Sequence, residues 1–183
     1  MSTHSTARLV QSVHERDHVW GPATAAVTLL EYGDYECPYC GTAFGVVEEL
    51  QAWAGENMRF VFRHFPLTQI HLFAEPAAEA AEAAGARGRF WEMHDALFTH
   101  QQSLDGTHLL RYAAHIGLDP AEIAEELHAR QYADRIREDF LSGVHSGVNG
   151  TPTFFIAGVR YDGLPDFESL SAALEQAAET KLG

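Results

Sequence analysis

Both cysteines of this chain lie in one Cys-Pro-Tyr-Cys tetrapeptide, residues 37–40, directly after a run that predicts a buried strand. The run, residues 27–30, is apolar and rich in β-prone side chains. Behind the tetrapeptide, apolar residues recur at the spacing of an amphipathic helix: Ala43, Phe44, Val47 and Leu50. A strand, a short turn, two cysteines separated by two residues and then a helix are typical of a dithiol redox site.

The position of the two cysteines at the start of a helix predicts different roles for them. A thiol must ionise to attack a disulfide, and a free cysteine has a pKa of about 8.5. The first turn of a helix favours negative charge, and Pro38 suits the first helical position. We therefore predict Cys37 as the attacking thiolate and the more covered Cys40 as the resolving thiol. Pro38 and Tyr39, which separate them, are predicted to contact the substrate.

Two other interpretations of the cysteine pair are a zinc half-site and a pair of inert core residues. A closed zinc site needs four ligands, and the sequence contains no second cysteine pair. The eleven histidines are scattered, and none lies near the tetrapeptide in sequence. Redox chemistry is therefore favoured, and we expect neither a metal nor a cofactor.

Composition limits the classes of partner. The net charge of −14 disfavours binding to nucleic acid or to anionic membranes. No apolar run approaches the length of a membrane-spanning helix, so we expect no membrane insertion. No secretory signal follows Met1, which predicts a cytoplasmic location, or a periplasmic or extracellular one if a signal has been removed.

The order of the predicted elements indicates an α/β protein with a helical insertion. A single helix between two strands implies a parallel βαβ crossover. The first half is predicted to contain a strand at 26–32, a helix at 38–54 and a strand at 59–65. Helices follow from about 74 to 144. The last part is predicted to contain strands at 153–156 and 159–161 and a closing helix at 167–182. This is the order of a thioredoxin fold (βαβ and ββα) with an α-helical domain inserted between its halves. We predict a discontinuous thioredoxin-like domain at 9–70 and 147–183 and an inserted helical domain at 71–146.

Several motifs together resemble one protein family, the DsbA-type thiol-disulfide oxidoreductases. The match covers nearly everything from about residue 17 to residue 182. The motifs are Gly21-Pro22-Ala23, the run from Glu31 to Cys40, Arg63-His64-Phe65-Pro66-Leu67, Phe90-Trp91-Glu92-Met93-His94 and Gly150-Thr151-Pro152-Thr153-Phe154.

This resemblance implies roles for three further residues. It implies that Pro152 follows a cis peptide bond beside the cysteines, and that the Thr151 backbone pairs with an extended substrate. It also implies that Glu31 is a buried carboxylate with a raised pKa that relays a proton for Cys40. The alternative for Glu31 is a partly exposed residue at the end of a strand.

The tetrapeptide departs from the family pattern, which commonly has a histidine between the cysteines. Its Pro-Tyr pair is that of many glutaredoxins. A neutral Tyr39 gives the thiolate no cationic stabilisation, and we expect Asp34 and Glu36 to oppose it. The predicted pKa of Cys37 is about 5.5–6.5, between about 7 for thioredoxin and about 3.5 for DsbA.

We predict a dithiol-disulfide oxidoreductase that acts on protein thiols or disulfides through a mixed disulfide at Cys37. A separate redox partner would reset the cysteine pair. One rival is a glutathione-linked, glutaredoxin-like reductase of small or mixed disulfides. The other is a non-enzymatic binding module that has kept the fold.

Overall fold

A computed structural model of the protein describes residues 7–182, which form a five-stranded mixed sheet flanked by helices. The strands are β1 (His18–Trp20), β2 (Val27–Gly33), β3 (Met58–His64), β4 (Thr153–Ile156) and β5 (Val159–Tyr161). The helices are α1 (Pro38–Ala54), α2 (Ala74–Gly85), α3 (Phe90–Thr99), α4 (Gly106–His115), α5 (Pro120–Ala129), α6 (Ala133–His145) and α7 (Phe167–Leu182), with a short 3-10 helix at Gly55–Asn57.

The strand order is β1-β3-β2-β4-β5, which places β2 at the centre of the sheet. Strand β2 runs parallel to β3, because helix α1 carries the chain back between them, and it runs antiparallel to β4. In this register Glu31 lies opposite Phe62 on one side and Phe154 on the other. Glu31 is therefore flanked by sheet on both sides.

Apolar side chains cover both faces of the sheet, because successive strand residues point to opposite faces. Leu29 of β2 belongs to the large core, which the sheet shares with α1, α7 and the inserted helices. Its neighbour Leu30 belongs to a smaller core on the other face, against which Phe140 of α6 packs. The inserted helices α2 to α6 thus extend the core of the sheet.

The predicted fold class and element order are confirmed. Helix α1 has the predicted bounds, whereas β2 and β3 are displaced by one residue from the predicted strands. Helices α2–α6 follow one another between β3 and β4. The division into two domains stays a prediction. Within residues 7–182, no helix is both long and apolar enough to cross a membrane.

Candidate active site

The two cysteines lie at the start of α1 with free thiols. Cys37 is the N-cap residue, and Cys40 lies in the first turn. Cys37 is 3% exposed and Cys40 is fully buried. Between them, Pro38 and Tyr39 are both exposed, Tyr39 at 73%. The tetrapeptide therefore presents its two middle residues to solvent and covers its sulfurs.

The Cys37 thiol is strongly acidified. Its pKa falls to about 5, chiefly because the Cys40 thiol hydrogen-bonds to it. Burial opposes this effect, whereas hydrogen bonding from the Thr151 side chain and from the backbone N–H groups of Cys40 and Tyr39 adds to it. The value lies below the predicted range of about 5.5–6.5 because the hydrogen bond from Cys40 adds to the effect of the helix terminus.

Cys40 shows the opposite behaviour. Its pKa is raised well above the usual value by burial, by its hydrogen bond to Cys37 and by the charge of Glu31. The backbone N–H of Asp34 lies 3.5 Å from the Cys40 sulfur and opposes this rise only in part. One thiol is therefore ionised near neutral pH while the other keeps its proton.

Glu31 is buried beneath the cysteines, with 2% of its surface exposed, so the alternative of a partly exposed strand end is wrong. Burial, and next the charge of Cys37, raise its pKa to about 8. Its Oε1 has no hydrogen-bond partner among the described residues. Gly33 leaves room for this carboxyl, since a Cβ there would lie 2.4 Å from the Phe62 ring and 3.1 Å from Oε1.

The segment before β4 passes directly beside Cys37. The peptide bond between Thr151 and Pro152 is cis, as the family resemblance implies. The Cys37 thiol donates to the carbonyl oxygen of Thr151 across 3.4 Å. The Thr151 backbone therefore lies against the Cys37 sulfur.

The carboxylates of Asp34 and Glu36 are held by hydrogen bonds from backbone N–H groups. The buried Asp34 carboxylate accepts hydrogen bonds from the backbone N–H groups of Glu36 and Leu67, each 2.8 Å long. Glu36 accepts from the backbone N–H of Phe73 across 2.6 Å. Both carboxylates are thus engaged by the loop after β3, and neither is among the largest influences on the Cys37 pKa.

His71, in the same loop, is a site residue that sequence reasoning missed. Its Nδ1 lies 2.8 Å from an Asp34 carboxylate oxygen. Burial lowers the pKa of His71, but the hydrogen bond and charge of Asp34 and the charges of Cys37 and Glu36 outweigh burial and raise it. A titratable ring from a distant part of the chain is thus linked to the cysteine turn through Asp34.

Gln101, after α3, is the second residue that sequence reasoning missed. Its Nε2 donates to the carbonyl oxygens of Tyr35 and Cys37, at 2.8 and 2.9 Å. Gly41 permits this approach, because a Cβ there would lie 2.0 Å from the Gln101 Oε1. The inserted helices thereby hold the backbone of the cysteine turn.

Comparisons with known proteins agree with this geometry. The family model described as Thioredoxin matches residues 13–176. A thioredoxin-like oxidoreductase from Silicibacter pomeroyi DSS-3 is 30% identical, with a TM-score of 0.80 over 91% of this chain and 94% of that chain. α-DsbA1 from Wolbachia pipientis has the same fold at 20% identity, with a TM-score of 0.81 over 93% of this chain and 94% of that chain.

Curated relatives match this chain over only part of their own length. A protein of Salinispora arenicola called Na(+)/H(+) antiporter NhaA 1 is 52% identical over 169 residues. The match takes in 92% of this chain but 26% of that protein. This chain thus spans about a quarter of the relative. The part that the two proteins share is the one that carries the dithiol site in this chain.

Proposed function

The chain belongs to the thioredoxin family, and from that membership we propose that it exchanges disulfides with protein substrates through a mixed disulfide at Cys37. The observation that carries this proposal is the opposite displacement of the two thiol pKa values. The pKa of Cys37 is lowered to about 5 and that of Cys40 is raised, so only Cys37 is a nucleophile at neutral pH. Cys40 stays protonated until it attacks the mixed disulfide in the second step.

In the reducing direction, the Cys37 thiolate attacks one sulfur of a substrate disulfide. A Cys37–substrate disulfide forms, and the other substrate sulfur leaves as a thiolate. Cys40 then loses its proton and attacks the Cys37 sulfur, which releases the second substrate thiol and leaves a Cys37–Cys40 disulfide. The oxidising direction is the reverse of these steps.

We assign Glu31 as the base that accepts the proton of Cys40. The thiolate charge of Cys37 is one of the two causes that hold the Glu31 pKa near 8. In the mixed disulfide that charge is gone, so the Glu31 pKa falls and the carboxylate becomes available as a base. The base is thus released at the step in which Cys40 must be deprotonated.

The surface around Cys37 supports a polypeptide substrate. The Thr151 backbone offers main-chain pairing to an extended segment. Apolar side chains are exposed on the tetrapeptide and on the loop that Asp34 and Glu36 hold against it: Tyr39, Ile70 and Leu72. Exposed apolar groups beside a nucleophile suit unfolded protein better than a small polar disulfide.

Trapping of the mixed disulfide tests the proposal. In Cys40→Ala, Cys37 should accumulate a stable disulfide with a scrambled or unfolded protein, because no internal thiol can release it. Cys37→Ser is the control and should trap nothing. Turnover of glutathione disulfide that exceeds turnover of protein disulfides would favour the glutaredoxin-like rival, and normal cellular function of Cys37→Ser would favour the binding module.

The compartment and the redox partner belong to this proposal as well. A cytoplasmic location requires that cells keep Cys37 and Cys40 reduced, whereas a periplasmic or extracellular one requires that they hold them oxidised. Acid quenching of cells followed by alkylation of free thiols measures this redox state directly. Mixed disulfides captured by Cys40→Ala in the same cells would identify the protein that resets the pair.

A further inference from the structure

Three side chains that the dithiol chemistry does not use converge at the junction of the sheet and the inserted helices. His18 lies on β1, His64 ends β3, and Glu82 lies on α2. The two Nε2 atoms lie 2.8 and 2.9 Å from the same carboxylate oxygen, Oε1 of Glu82. One donor atom from each residue falls within 4.8 Å of the other two.

We propose that His18, His64 and Glu82 bind one divalent transition-metal ion of the class of Zn²⁺. Two imidazole nitrogens and a carboxylate oxygen are a common zinc donor set, in which a fourth position stays open for water. Zinc lies about 2.0–2.2 Å from such donors, so tetrahedral ligand atoms are roughly 3.4 Å apart. The present atoms are closer than this around Oε1, because each Nε2–H donates to it. On binding, each Nε2 proton would move to Nδ1 or to solvent, and an outward movement of about 0.5 Å would admit the ion.

Packing holds two of these donors in place before any ion arrives. The His18 ring stacks on Phe90, with ring centroids 3.4 Å apart and planes 3° from parallel. It is also bounded by Gly85, where a Cβ would lie 2.9 Å from the ring. The His64 ring is buried between Phe62 and Phe90. Rings that are already oriented lose little conformational entropy on binding, which favours affinity.

The burial of the three residues gives the ion one route of entry. The His64 and Glu82 side chains are 1% and 8% exposed, whereas that of His18 is 16% exposed. The proposed site is thus open to solvent beside the His18 ring, where a water molecule would fill the fourth coordination position of the ion. Because the ligands come from β1, β3 and α2, a bound ion would join the insertion to the sheet. Binding only to the folded state would stabilise that junction.

Free thiols bind zinc as well, so the test uses the untagged protein with the Cys37–Cys40 disulfide formed. Titration with Zn²⁺ in a calorimeter should show about one ion per chain, and saturating Zn²⁺ should raise the melting temperature. Co²⁺ should give the visible absorption of a four-coordinate site without sulfur ligands. Absence of Zn²⁺ binding by the oxidised wild-type protein would overturn the proposal.

Substitution locates the ion. Glu82→Gln keeps an oxygen that accepts from both histidines but removes the charged ligand, so the variant should stay folded and bind Zn²⁺ about 100-fold more weakly or worse. His64→Asn should do the same. His108→Asn is the matched control, since His108 pairs with Asp105 at the start of α4, away from the cluster. Equal affinity in Glu82→Gln and wild type would place the ion elsewhere and refute the assignment.

Discussion

Nδ1 of His71 lies 2.8 Å from Oδ2 of Asp34, although the two residues are 37 positions apart in the chain. Asp34 is also bonded to both cysteines through its backbone. Its carbonyl oxygen accepts from the N–H of Cys37 across 3.1 Å, and its own N–H points at the Cys40 sulfur. The His71 ring on one loop is thereby tied, through Asp34, to the backbone of both cysteines on another.

Replacement of His71 should make Cys37 less acidic. His71→Asn keeps a side-chain donor for Asp34 but removes the positive charge that favours the thiolate. We expect the pKa of Cys37 to rise by about 0.5–1, the size of one partly screened charge. The pH dependence of alkylation of the reduced protein measures it. His100→Asn, at an exposed histidine, is the control, and an unchanged pKa in His71→Asn would rule out this role.

The hydrogen bond from Cys40 is the largest single cause of the low Cys37 pKa. Cys40→Ala should therefore raise that pKa by at least about one unit, or about 1.4 kcal/mol. Cys40→Ser keeps a donor at the same position and should raise it less. Thiolate absorbance in the ultraviolet gives both values. A Cys37 pKa that equals the wild-type value in both variants would rule out the hydrogen bond from Cys40 as a cause of its acidity.

A Cys37 pKa of about 5 also predicts the reduction potential. It lies about two units below the roughly 7 of thioredoxin, which stabilises the reduced form by about 2.7 kcal/mol. With other contributions equal, the potential is about 60 mV above the roughly −270 mV of thioredoxin, near −210 mV. Equilibration with glutathione buffers measures it. A potential at or below that of thioredoxin would contradict the link between acidity and redox poise.

The buried Glu31 carboxyl should make the stability of the reduced protein depend on pH. Its pKa is about 8 in the folded state, against an ordinary value of 4.5 in the unfolded state, so the folded state holds the proton longer. The contribution is fully present below about pH 4.5 and is lost as pH rises to about 8, by up to about 5 kcal/mol. Denaturant unfolding of Glu31→Gln should show a flatter dependence over this range. An identical slope in wild type would show that Glu31 is ionised throughout.

Secondary-structure elements whose ends carry a characteristic residue were predictable from the sequence. Helix α1 has a proline at its first position and a glycine at its end, so both of its limits were evident. Strand ends carry no such mark, and β2 and β3 each lie one residue away from the prediction. The buried position of Glu31 followed from the family resemblance, since an acidic residue near the end of a strand has no local feature that reveals burial.

The contacts that tune the site were not predictable, because they join residues far apart in sequence. His71 reaches the site through a loop whose path depends on backbone bonds to Asp34 and Glu36. Gln101 reaches it from the end of α3. Neither position carries a spacing or a residue pattern that ties it to the cysteines, and only the packing of the insertion against the sheet brings them there.

The two hydrogen bonds from Gln101 have a consequence for how this protein can be shortened. They reach the Tyr35 and Cys37 carbonyl oxygens, of which the second also accepts from the N–H of Gly41, and removal of residues 71–146 would delete both bonds. The excision would also remove His71. A shortened chain would keep Cys40 and Thr151, which lower the pKa of Cys37, but would lose the side chain that holds the backbone of the cysteine turn. An engineered version of this chain should therefore keep Gln101 together with the dithiol if the geometry of the cysteine turn is to be preserved.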